Sequence, residues 1–79
     1  MIKVKLKSVT DVVSLAAECY NFPEAIIATC CSNTVDAKTP VDLMRLGLGN
    51  VIELEMVSDS ASDVSDFEDY ISNLFPYTE

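Results

Sequence analysis

The chain contains no histidine. A histidine-centred zinc site and an imidazole general base are therefore both excluded. No C-x-x-C spacing occurs either, so the usual short redox or zinc-binding cysteine pair is absent. Positive charge is scarce. Five Lys and Arg stand against thirteen Asp and Glu, a formal charge of −8. Nucleic-acid binding depends on Lys and Arg displacing counterions from phosphates, so this balance argues against it. No stretch of 18 consecutive apolar residues exists, which leaves no candidate for membrane insertion. Lys3, Lys5 and Lys7 interrupt the early apolar residues, so the opening of the chain lacks the apolar core of a signal peptide.

What is present fits one small globular domain over residues 1–79, 49% apolar and close to the size at which a single core just suffices. Cys30 and Cys31 are adjacent, and Cys19 makes the cysteine count odd. Neighbouring strand residues point to opposite faces, so Cys30 and Cys31 are expected to be poorly placed for bridging. Reduced thiols in a cytoplasmic protein are the expectation. The acidic residues Asp59, Asp63, Asp66, Glu68 and Asp69 crowd the last segment and read as a solvated helix face, with no metal and no cofactor implied.

Ile2, Val4 and Leu6 alternate with three lysines, the period-2 signature of a strand with one wet face. Ser8 or Thr10 then caps a helix carrying Val12, Val13, Leu15, Ala16 and Cys19, which Phe22-Pro23 stops. Ala25 to Cys31 reads as a buried strand, Ser32-Asn33 as a hairpin turn, and Thr34 to Ala37 as a short edge strand. Thr39 is placed to cap a helix with Pro40 in its first position and Asp42 in its first turn; Gly47 and Gly49 end it. Val51 to Val57 alternates again. Ser58 to Ser62 introduces a last helix with an apolar stripe of Val64, Phe67, Tyr70, Ile71 and Leu74, closed by Pro76. The order is β-α-β-β-α-β-α, an α+β fold with helices on one face of a mostly antiparallel sheet. If the first and fourth strands are neighbours, Lys3, Lys5 and Lys7 meet Glu53 and Glu55 on the open face.

The segment Val35 to Leu48, V-D-A-K-T-P-V-D-L-M-R-L-G-L, resembles the middle of HPr, the histidine-containing phosphocarrier of the bacterial sugar phosphotransferase system. Length and element order are similar as well, from about Val12 to Leu74. The resemblance implies an open-faced β-sandwich: four antiparallel strands in the order 1-4-2-3, backed by three helices. In that family a G-L-H-T-R-P-A-like loop places the phosphorylated histidine at the start of the first helix. Here K-S-V-T-D-V-V-S-L stands there, without histidine or arginine. Ser8, Thr10 and Asp11 thus form a degenerate phosphocarrier loop. Asp11 brings negative charge to a helix start that would otherwise favour an anion. A hydroxyl phosphate ester is far less labile than phosphohistidine, so no hydroxyl replaces the relay.

The family's serine phosphorylated by a dedicated kinase matches Thr39, although Pro40 follows where an aliphatic residue is usual. Its apolar docking surface matches Val41, Met44 and Leu48, while Leu43 and Leu46 are expected to face the core. The implied function is not catalysis but a histidine-less interaction or regulatory module. Its implied partners are phosphotransferase-system enzymes or a transcriptional or metabolic regulator. Two other classes fit the residues: a structural subunit of a complex unrelated to sugar transport, and a cysteine-based redox protein using Cys30 and Cys31.

Overall fold

In the computed structural model, which describes residues 2–76, alternation and helical spacing become four strands and three helices. The strands are β1 (Ile2–Lys5), β2 (Ala25–Cys30), β3 (Asn33–Asp36) and β4 (Val51–Val57). The helices are α1 (Val9–Tyr20), α2 (Pro40–Arg45) and α3 (Ala61–Leu74). The sheet order is β1-β4-β2-β3 and every neighbouring pair is antiparallel. This is the four-stranded, three-helix α+β arrangement that the resemblance implies.

In β1, β2 and β4 the even-numbered residues face the helices. Val4, Ile26, Ala28, Ile52, Leu54 and Met56 are buried beneath Val12, Leu15, Ala16 and Cys19 of α1 and Phe67 and Ile71 of α3. Burial of each large aliphatic or aromatic side chain of this kind contributes about 1.5–3 kcal/mol. Phe22, between α1 and β2, meets Phe67 edge to face with ring centres 5.1 Å apart. Tyr70 lies at the margin. Its ring is 6.0 Å from that of Phe22, and its hydroxyl donates to the Glu18 carboxylate, joining α3 to α1. That carboxylate pushes the Tyr70 hydroxyl above its ordinary pKa.

Several expectations change at the level of single residues. The helix α1 begins at Val9, because Ser8 and not Thr10 is the cap. Val13, expected within the apolar stripe, is exposed, as are Tyr70 and Leu74 of α3. The hairpin turn falls on Cys31-Ser32 and not on Ser32-Asn33, since Asn33 already pairs with Cys30. On the open face only Lys3 stands directly opposite Glu53. Lys5 faces Val51, Glu55 faces Ile27, and Lys7 lies beyond the strand. No helix among the described residues is long and apolar enough to cross a membrane.

Candidate functional site

Two helix starts and the surface beside them carry the residues of interest. At α1, Ser8 is extended (φ −147°, ψ 166°), and its hydroxyl accepts from the Asp11 N–H at 3.3 Å. The Asp11 carboxylate reaches back and accepts from the Lys7 N–H at 3.0 Å. Each bond satisfies a donor that a helix start otherwise leaves to solvent. A carboxylate in the first turn also complements the partial positive charge of the helix end. The position where an incoming anion would be welcomed therefore already holds one. Thr10 is exposed in the first turn and caps nothing, so Ser8 and Asp11 alone close the loop.

The start of α2 is built differently. Asp36 Oδ1 accepts from the Lys38 N–H at 2.9 Å, and the Thr39 N–H donates to the Asp36 carbonyl at 3.2 Å. Lys38 Nζ donates to the Phe22 carbonyl at 2.6 Å, fastening this turn to the end of α1. Thr39 is extended (φ −108°, ψ 111°) and occupies the cap position, but its hydroxyl makes no capping bond. Pro40, in the first turn, has no N–H to satisfy, which lowers the demand for a cap. Asp42 instead faces Arg45 at 3.9 Å, an exposed ion pair of little energetic consequence.

This short helix cannot bury all its apolar residues. Leu43 and Leu46 enter the core, whereas Val41, Met44 and Leu48 remain 63%, 40% and 41% exposed. The burial of Leu43 and Leu46 is as expected. Leu48 sits between Gly47 (φ 87°) and Gly49 (φ 85°), both in the left-handed region where residues with a Cβ are strained. A Cβ on Gly47 would also lie 2.9 Å from Asn50 Nδ2, and that amide donates to the Leu46 carbonyl at 2.8 Å. The Gly49 N–H donates to the Leu6 carbonyl at 2.7 Å, tying this loop to the end of β1. Backbone contacts thus hold Leu48 on the outside.

The sequence reading missed the exposed apolar residues of α1. Val9 and Val13 are exposed, and a shallow groove lined by Val13, Ala16, Ala17, Tyr20, Lys38 and Pro40 separates α1 from the start of α2. The signal was present, since Val9, Val13 and Ala17 recur at intervals of four, but Val13 reads equally well as core.

Comparison with known proteins places the fold. No protein-family model matches the chain, and no curated protein matches it. Among solved structures, it is similar to HPr-C-His from Thermoanaerobacter tengcongensis, with a TM-score of 0.70 and 23% identity over 99% of this chain and 94% of that one. It is also similar to the HPr dimer from the same organism, with a TM-score of 0.64 and 20% identity over 98% of both chains. The chain has the HPr-like fold.

Proposed function

We propose that this chain is a histidine-less relative of the HPr phosphocarriers, a cytoplasmic interaction or regulatory module that does not relay phosphate. The observation that supports this is the contrast between a closed α1 start and an open α2 surface. Ser8 and Asp11 satisfy the first helix internally, while Val41, Met44 and Leu48 stay in water. The apolar area these three side chains still expose offers a partner about 25 cal/mol for each Å² it covers. Methionine adapts readily to a facing surface. The partner class is a phosphotransferase-system enzyme, or a transcriptional or metabolic regulator that reads this fold. The net charge of −8 favours a basic docking face on it.

The chemical arm of the test is incubation with phosphoenolpyruvate and the first enzyme of the system, followed by intact mass. No phosphoprotein is expected, and an acid-labile phosphoryl adduct overturns the non-relay reading. The binding arm is a titration of labelled protein with that enzyme. Met44→Asp is expected to weaken binding at least tenfold while leaving the melting temperature in place. Equal binding by wild type and variant removes the docking surface from the proposal.

Thr39 supports a second reading, as a regulatory phosphorylation site, because its hydroxyl is not engaged in capping. Phosphate there would add charge at a helix start, where it is favoured. A bacterial kinase that modifies HPr-type proteins, supplied with ATP, should add one phosphate. An unchanged intact mass rejects the idea.

A further inference from the structure

The two adjacent cysteines are not arranged as strand alternation requires. Cys30 is the last residue of β2 and faces the core, while Cys31 is the first residue of a two-residue turn. Cys31 and Ser32 have φ of 55° and 70°, left-handed values that hairpins of this type normally give to Asn, Asp or Gly. By leaving the extended conformation, Cys31 breaks the alternation that would send its side chain to the opposite face. Its sulfur instead lies 3.1 Å from that of Cys30. The expected separation of the two sulfurs onto opposite faces is therefore not met. One thiol is exposed and the other buried, the usual division between an attacking and a resolving cysteine.

We propose that Cys30 and Cys31 form a reversible redox site whose substrates are small-molecule disulfides. The Cys31 thiolate attacks one sulfur of the disulfide; a mixed disulfide forms and the first small thiolate leaves. Cys30 then loses its proton to solvent, and its sulfur attacks the Cys31 sulfur. The Cys30–Cys31 bond forms and the second small thiolate leaves, both leaving groups taking up protons. Two protein thiols are oxidised and one small disulfide is reduced to two thiols.

The order follows from the surroundings. Cys31 acts first because it is exposed while Cys30 is buried; the hydrogen bond between the two thiols, and then burial, raise the Cys30 thiol above its ordinary pKa. Adjacent Cα atoms are about 3.8 Å apart, shorter than the roughly 4.4–6.8 Å of ordinary disulfides. The product is strained on that account and readily reduced again, which is the behaviour of a switch and not of a structural staple. Cys19 supplies an internal control. It is fully buried, and burial pushes its thiol up to about 12, so it stays unreactive.

The experiment is incubation of the folded, reduced protein with excess glutathione disulfide, followed by intact mass and peptide mapping. The expected result is loss of two hydrogen atoms, mapped to the Cys30–Cys31 peptide, with Cys19 still free and full reversal by dithiothreitol. A persistent glutathione adduct on Cys31, an intermolecular dimer, or no reaction overturns the proposal, and each is read on the wild-type protein alone. Cys30→Ser is expected to stop at the mixed disulfide, and Cys31→Ser to react at least tenfold more slowly. A two-hydrogen loss in either variant also overturns it. The site stands independently of the docking surface, so failure of one leaves the other untouched.

Discussion

Helices α1 and α2 solve the same problem in opposite ways. The longer one, twelve residues, closes its own start with Ser8 and Asp11 and sends Val12, Leu15, Ala16 and Cys19 into the core. The shorter one, six residues, leaves Thr39 idle as a cap and buries Leu43 alone among its own residues. A helix of that length is not stable by itself, because nucleation costs more than so few hydrogen bonds return. Its stability comes from outside: Leu43 and Leu46 in the core, the Gly49–Leu6 hydrogen bond, and the Lys38–Phe22 contact. The lesson is that a helix held at its two ends and by one buried side is free to keep an apolar side in water.

The largest effect should come from removing that anchor. Leu43→Ala is expected to cost about 2–5 kcal/mol in urea unfolding, because a fully buried leucine leaves a cavity behind. Met44→Ala, one residue further on, should cost less than about 0.5 kcal/mol, as exposed substitutions away from special features do. Similar losses for the two would show that α2 has no distinct inner and outer side.

Alkaline unfolding probes the buried side of α1. The Cys19 thiol is raised from 9.0 to about 12 by burial, so the folded state retains a proton that the unfolded state gives up. Its contribution is fully present below pH 9.0 and is lost as pH rises toward 12, with a limiting slope of about 1.4 kcal/mol per pH unit. Tyr70 and Cys30 are raised too and act in the same direction. Denaturation midpoints measured across this window should fall steadily, and Cys19→Ala should flatten the decline. An unchanged slope in that variant would remove Cys19 as the cause.

The smallest effect separates the two starts themselves. Ser8→Ala should cost about 1 kcal/mol, the usual value of a lost cap. Thr39→Ala should cost less than about 0.5 kcal/mol, since no capping bond is lost. Equal losses in thermal melts would mean that Thr39 caps α2 in solution.

Most of the fold was legible along the chain. Period-2 alternation located β1 and β4, and Thr39-Pro40 together with Gly47 bracketed α2, because these signals act within a few residues of one another. The hairpin was displaced by one residue because Asn33 is the better intrinsic candidate for positive φ. The ladder nevertheless pairs Asn33 with Cys30 and passes the left-handed conformation to Cys31 and Ser32. Thr39 was read correctly as the cap position but wrongly as the capping group, a distinction that depends on rotamer and not on residue type. Val13 was read as core because spacing alone cannot say how far a buried stripe extends around a helix.

By itself the sequence determined that imidazole chemistry is absent, that seven elements follow in this order, and that the charge is strongly acidic. Composition and local periodicity carry that information, since each depends only on residue types and short spacings. Tertiary structure decided the strand order β1-β4-β2-β3, the exposure of Val9 and Val13 on α1, and the meeting of the Cys30 and Cys31 sulfurs. These depend on which surfaces bury one another and on the backbone conformation that strand pairing imposes at a turn. The first two are choices between residues far apart in the chain, while the third is set by the Cys30–Asn33 pairing that closes the hairpin.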